Sequence, residues 1–179
     1  MSGHNKWSKI KHKKAATDAQ KSKVFSKHSS LITMESQRAN GDLSSPGLAA
    51  AIERAKKDSM PKDNIERAVA KGSGANNARL EEIMYEGYGP GGTAMLISVV
   101  TDNNNRTAPE IRHIFTKANL QIGTPGSAAW AFTKTDTGYE PITPLELSDE
   151  DGDKLATLIE TLEDHDDVQD VFTTADSKD

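Results

Sequence analysis

The chain has 179 residues, of which 35% are hydrophobic and 5% aromatic, and its formal net charge is −5 at pH 7. This length and composition favour one or two domains with modest cores. The lack of cysteine excludes disulfides, thiolate-ligated metals and thiol nucleophiles. No apolar run approaches the roughly 18 residues of a membrane span, and the lysine-rich start is not a signal peptide, so we expect a cytoplasmic protein without membrane contact.

Charge is sorted along the chain. Residues 1–30 carry eight lysines against a single acid, Asp18, whereas residues 135–179 carry fifteen acids against Lys154 and Lys178. Lysines at that density repel one another unless a polyanion or an acidic surface neutralises them. The first thirty residues are therefore a candidate for contact with nucleic-acid phosphates.

Residues 1–14, the basic head, offer only Trp7 and Ile10 for burial, so we expect this segment to be disordered alone and to fold on a partner. Its basic side chains would bind the phosphate backbone while Trp7 stacks on an exposed base. The alternative without a binding function is a solvated segment whose Trp7 packs on the helices that follow. The candidate contacts are Lys6, Lys9, Lys11, His12, Lys13 and Lys14, followed by Lys21, Lys23 and Lys27.

Residues 15–74 predict a domain of three helices. The first spans 15–39, with Val24, Phe25, His28, Leu31 and Ile32 on one face. The second follows the Ser44-Ser45-Pro46 break. The third begins at Pro61, where the missing N–H is tolerated, and ends at Gly72 and Gly74. Lys62 and Arg67, near the start of the third helix, are candidate auxiliary contacts, because a helix N-terminus attracts anions.

Residues 79–176 predict an α/β domain. Strands around residues 83–88 and 94–100 are joined by a glycine-rich turn, and a capping box of Thr107 and Glu110 predicts the start of a helix. Strands at 127–133 and 139–147 flank the hairpin turn Asp136-Thr137-Gly138. Ser148 begins another helix, and 168–173 is the last strand. The order from residue 93, β-α-β-β-α-β, predicts a ferredoxin-like sandwich and an α+β fold class.

Three other motifs give weaker indications of a binding or metal site. The helix start beside Asn103, Asn105 and Arg106 could receive a phosphate or a partner carboxylate, although asparagines also satisfy turn backbones. The loop from Gly87 to Gly92 lacks the ending of a phosphate-binding loop. Acids near the end of the chain are explained by helix starts and solvated faces. We therefore expect no metal, no cofactor and no enzymatic activity, since no nucleophile and base occur at a recognisable spacing.

Several segments resemble one family. They are GHNKWSKIKHKKAATDAQKSKVFSK at 3–27, MPKDNIERAVAKGSG at 60–74, YEGYGPGG at 85–92, TDNNNRTAPEIRHIF at 101–115, GSAAWAF at 126–132 and LEDHDDVQDVFTTAD at 162–176. The chain is thereby similar to the YebC/PmpR family, which includes a mitochondrial translational activator of cytochrome oxidase. The resemblance implies a helical domain and two α/β domains, one inserted within the other.

The resemblance departs at one place, because Phe132 is followed almost at once by a turn and another strand. We expect the inserted domain to be absent near 133–138, which leaves open any activity that depends on it. Residues 28–37 also lack the basic residues usual after the first motif of the family.

The family label implies a DNA-binding regulator of transcription. Two alternatives remain: a ribosome-associated translation factor that binds ribosomal RNA, and an adaptor whose basic head binds an acidic protein rather than nucleic acid. The sequence does not decide between DNA and RNA, and it does not fix the oligomeric state.

Overall fold

The computed structural model describes Trp7 and residues 17–177. The described residues form two compact units. The helical unit comprises 17–82 and 100–104, and the α/β unit comprises Trp7, 83–99 and 105–177. The expectation for the basic head concerns residues that, apart from Trp7, lie outside the described part of the chain.

The helical unit contains the three expected helices: α1 Asp18–Ala39, α2 Pro46–Lys57 and α3 Lys62–Ser73. Thr17 caps α1 through a reciprocal pair of hydrogen bonds with Gln20, and Asn40 ends it in the left-handed conformation. Pro46 and Pro61 stand at the starts of α2 and α3, as the sequence predicts. The three helices share a small core of Ile32, Leu48, Ala51, Ala55, Met60, Ile65 and Ala68.

Helices α1 and α3 approach each other closely at Gly72. A Cβ atom there would overlap the carbonyl oxygen of Thr33 and lie 2.5 Å from Cβ of Ser36. The hydroxyls of Thr33 and Ser36 donate to the carbonyls of Ala68 at 3.3 Å and Val69 at 2.6 Å. The two helices therefore pack directly against each other at this point.

The α/β unit is built on a three-stranded sheet of order β1-β2-β5, formed by β1 Glu81–Tyr88, β2 Ala94–Thr101 and β5 Val168–Thr173. Strand β2 is buried along its whole length. Its alternate residues face two clusters: Met95, Ile97 and Val99 lie in a core with helices α4 Asn104–Lys117 and α5 Asp149–Asp164, while Ala94 and Leu96 lie in a second cluster with Phe132. A strand buried on both faces reads as a continuous apolar run, as this one does.

The α+β class, with a helical first domain followed by an α/β domain, is confirmed, and the structure differs from a single-sheet sandwich only in how the strands pair. The order β-α-β-β-α-β is present and β2 pairs with β5 in antiparallel fashion. However, β3 Phe132–Thr135 and β4 Gly138–Pro141 form a separate two-stranded sheet, and β1 lies beside β2 instead. The hairpin contacts the main sheet through an edge-to-face pair of Tyr139 and Phe172, whose ring centres are 5.3 Å apart.

Only the last residues of the predicted strand at 127–133 form a strand, because the side chain of Glu86 is hydrogen-bonded to the backbone that precedes them. Glu86 is 7% exposed, and its carboxylate accepts the N–H groups of Gly126 at 2.6 Å, Ala128 at 3.0 Å and Ala129 at 2.7 Å. Backbone donors bound to this side chain are not available for strand pairing. Residues Ala129–Ala131 therefore form a short 3₁₀ turn.

The start of α4 also differs from the expectation. The helix begins at Asn104, so Thr107 lies inside it, and the Thr107 hydroxyl donates to Asp167 at 2.8 Å instead of capping the helix. The start of α5 is as predicted, with the Ser148 hydroxyl accepting the Asp151 N–H. In the described part of the chain, no helix has the length and apolar character needed to cross a bilayer.

Candidate nucleic-acid interface

An open cleft follows the line where α1 and α3 lie side by side in the helical unit. One end is lined by Asp18, Lys21, Ser22, Phe25, Ser26, Ser29 and Asn64. The lining continues through Ser26, Ser29, Ser30, Thr33, Asn64, Arg67, Ala68, Lys71 and Leu80. Since both stretches include Ser26, Ser29 and Asn64, they form one surface, which we call the seam cleft.

Helical spacing explains the polar lining of the seam cleft. Hydroxyl residues recur along α1 every three or four positions, and the polar residues of α3 recur in the same way, so each set lies on one helix face. The α1 set is Ser22, Ser26, Ser29 and Thr33, and the α3 set is Asn64, Arg67 and Lys71. Hydroxyls, amides and cations are the side chains that bind phosphate oxygens and sugars.

The basic residues of α1 that the sequence analysis proposed as contacts do not all lie on the same face of the helix. Lys21 lines the seam cleft. Lys23 and Lys27 are four residues apart and line neither stretch, so they share a different face of the helix. The basic residues predicted on α1 therefore lie on two different surfaces of the helix.

The nominated residues of α3 also differ in position. Arg67 lines the seam cleft, and its guanidinium donates to the side-chain oxygen of Asn64. Lys62, at the first position of α3, is largely exposed and lies 3.6 Å from Glu66. Lys71, which the sequence analysis missed, lines the seam cleft, and its spacing of four residues from Arg67 was the signal for it.

Trp7 does not have the exposed position that base stacking requires. Its side chain is 8% exposed and lies in the core of the α/β unit with residues of β2, α4 and α5. The indole N–H donates to the carbonyl of Asp176 at 3.2 Å. This position in the core of the α/β unit differs from both positions considered for Trp7 in the sequence, an exposed ring stacked on a base and a ring packed on the helices that follow. Lys6, Lys9, Lys11, His12, Lys13 and Lys14 lie outside the described residues.

Arg106 is already matched by carboxylates. One guanidinium nitrogen lies 2.8 Å from Asp167 and the other lies 3.3 Å from Glu110. The expectation that Arg106 receives a phosphate therefore does not fit its place in the structure. Nearby, the backbone N–H of Asn103 donates to the hydroxyl of Thr101 at 3.0 Å, as a turn asparagine would. Asn105 follows within the first turn of α4.

His165, which follows α5, belongs to the same cluster of charged side chains as Arg106 of α4. Its Nδ1 accepts the N–H of Asp167 at 3.1 Å, so Nε2 carries the proton that reaches Glu110 at 2.5 Å. Glu110, His165 and Asp167 could converge on a cation. Arg106, however, supplies the positive charge there, and we interpret the cluster as a network of ion pairs rather than a metal centre.

Family models cover most of the chain. Residues 5–75 match the TACO1/YebC protein N-terminal domain. Residues 80–137 and 131–175 match the TACO1/YebC second and third domain. These matches agree with the resemblance drawn from the sequence motifs.

Related proteins share this similarity. A probable transcriptional regulatory protein of Trichlorobacter lovleyi is 54% identical over 136 residues, which are 75% of this chain and 55% of that protein. A second, from Dictyoglomus turgidum, is 46% identical over 182 residues, covering 99% of this chain and 72% of that protein. The chain thus spans little more than half the length of the Trichlorobacter relative.

The fold is likewise that of a solved relative. The crystal structure of a conserved hypothetical protein from Aquifex aeolicus superimposes with a TM-score of 0.81 at 30% identity, covering 93% of this chain and 95% of that one. With its helical and α/β domains both matched, the chain belongs to the TACO1/YebC family.

Proposed function

We propose that this protein is a nucleic-acid-binding regulator of gene expression that holds a sugar-phosphate backbone in the seam cleft. The observation that carries the proposal is the lining of that cleft, where Lys21, Arg67 and Lys71 stand among a row of hydroxyls. Phosphate contacts supply most of the affinity of such proteins, while hydroxyls and amides fix the position of the strand.

The distribution of charge supports the same role. The lysines of residues 1–30 and the acids of residues 135–179 give the chain one attractive end and one repulsive end for a polyanion. The basic head adds to the binding surface in this proposal, and a basic surface also speeds association with the target. The relatives named as transcriptional regulators support a regulatory role.

We also infer that the chain lacks the inserted domain of its family. The two segments matched to the second and third domain overlap at 131–137, and the two-residue turn of the β3–β4 hairpin falls there. A tight turn is what joins two strands once an insertion between them is removed. Binding by the helical unit does not depend on the missing part.

The proposal is tested by binding labelled single strands and duplexes, of DNA and of RNA, at low salt. The variant Arg67→Gln with Lys71→Gln should lose affinity by about 30-fold, since two contacts worth about 1 kcal/mol each are removed. A matched control is Lys56→Gln with Lys57→Gln, which removes two charges from α2, away from the seam cleft. The control should bind as the wild type does.

Equal losses in both variants would show that total charge, not the seam cleft, determines binding. Weak affinity for all four probes together with co-purification of an acidic protein would favour the adaptor alternative. The probe bound most tightly distinguishes a DNA target from ribosomal RNA.

A further inference from the structure

Trp130 lies at the surface, unlike the buried Trp7, and the residue is 68% exposed. It lies in the 3₁₀ turn Ala129–Ala131 that precedes β3. Apolar side chains of this size are usually buried, and an indole left in solvent gives up the stabilisation that its burial would supply. An exposed tryptophan held in a fixed position therefore indicates a contact made with a partner.

Hydrogen bonds fix the orientation of the Trp130 ring. Its indole N–H is shared between the carbonyl of Ser127 at 2.8 Å and the hydroxyl of Tyr88 at 3.0 Å. The Tyr88 hydroxyl itself donates to the Ser127 carbonyl at 2.7 Å, which closes a three-membered polar cluster at the edge of the ring.

The backbone beneath the ring is fixed as well. Glu86 takes the N–H groups of Gly126, Ala128 and Ala129, so the loop that carries Trp130 is tied to β1 on one side. On the other side, the N–H of Ile142 donates to the Ala131 carbonyl at 2.9 Å. The loop is thus already ordered before any partner arrives, and little conformational entropy remains to be lost on binding.

The chemistry of the ring restricts what the partner can be. The single polar group of the indole is already bonded within the protein, so the exposed part of the side chain offers only apolar aromatic surface. The residues on either side of it in the chain are small, Ala129 and Ala131. Such a ring is suited to a flat partner that stacks, and every nucleobase presents a flat face.

We propose that Trp130 is a stacking platform for an unpaired base of a single-stranded nucleic acid. This inference rests on the proposed function and adds two statements to it. The α/β unit contacts bases, and the target contains unpaired nucleotides. A paired base is already stacked within its duplex and offers its faces less readily.

The test uses the full chain and four probes of about 12 nucleotides, a length within the usual site sizes of such proteins. The probes are single-stranded RNA, single-stranded DNA, a duplex, and an abasic single strand with the same number of phosphates. Because the chain contains two tryptophans, the emission of the Trp130→Phe variant isolates that of Trp7, and the difference from wild type is the signal of Trp130.

We expect the two single strands with bases to quench the Trp130 emission and the abasic strand to leave it unchanged. Trp130→Ala should bind the single strands with bases about 5- to 150-fold more weakly, as expected for one lost stacking contact. Trp130→Phe keeps a flat ring and should retain most of the affinity. The exposed apolar residue Leu43 of the helical unit supplies the control Leu43→Ala, which should bind as wild type does.

Unchanged affinity of Trp130→Ala for the single strands, or equal quenching by the abasic strand, overturns the inference while leaving the proposed function intact. A change of Trp130 emission with protein concentration alone would assign the ring to contact between copies of the chain and also overturns it. Failure of the wild type to bind any of the four probes overturns both proposals.

Discussion

At the scale of single residues, Glu86 shows how a buried side chain can replace the expected secondary structure. Burial acts to raise the pKa of Glu86, but the N–H groups of Gly126, Ala128 and Ala129 together outweigh it and hold the pKa below its ordinary value. The carboxylate is thus stabilised in its charged form inside the α/β unit. No periodicity in the sequence indicates this arrangement, because the donors lie about forty residues away from the acceptor.

We predict that Glu86→Gln destabilises the protein by about 1–3 kcal/mol at pH 7, since an amide offers one acceptor oxygen to three donors. A group whose pKa is lowered by folding contributes its full stability above its ordinary pKa, about 4.3 for glutamate, and loses it as the pH falls through the lower folded value. The difference between wild type and variant should therefore shrink in acid.

Urea unfolding at a series of pH values measures this difference. The exposed residue Glu140 of β4 provides the control Glu140→Gln, which should remain close to wild type at every pH. A Glu86→Gln variant as stable as wild type at pH 7 would show that the loop is not held by this carboxylate.

At the scale of elements, the packing of α1 on α3 depends on the lack of a side chain at Gly72. The sequence suggested Gly72 as a helix end, whereas the structure places it inside α3 facing the backbone of Thr33. The misreading has a physical reason: a glycine that permits a close approach and one that ends a helix look the same in a single sequence.

We predict that Gly72→Ala destabilises the helical unit by about 1–3 kcal/mol, because the added methyl group must push the two helices apart. The usual gain in helix propensity from glycine to alanine, about 1 kcal/mol, opposes this loss but does not relieve the overlap with backbone atoms. Denaturant unfolding followed by the helical circular dichroism signal measures the change.

Gly47→Ala in α2 is the matched control. Its added methyl group would meet the end of the flexible Glu35 side chain, which can move aside. This variant should be close to neutral. Equal effects of the two substitutions would contradict the interpretation of Gly72 as a packing residue.

At the scale of the whole molecule, the sequence predicted elements better than their assembly. The positions of α1, α2, α3, α5 and β5 followed from caps, prolines and apolar periodicity. The pairing of the strands followed only in part, since β2 pairs with β5 but β3 and β4 form a separate sheet. Pairing partners distant in the chain leave no local pattern, whereas helix periodicity does.

The candidate site was predicted in part for the same reason. The sequence found Lys21 and Arg67, which carry charge in a recognisable cluster, but it did not find the row of hydroxyls or Lys71. Serines become notable only when a second helix is seen to run beside them. The environments of the two tryptophans likewise depend on packing, which buries Trp7 and exposes Trp130.

The most direct test of backbone binding in the seam cleft is the salt dependence of affinity for a single strand. Each phosphate contact contributes about −0.7 to the slope of log K against log salt concentration for a single strand. The variant Lys21→Gln with Arg67→Gln and Lys71→Gln should therefore show a slope shallower than that of wild type by about 2. A slope unchanged by removal of all three cations would contradict the account.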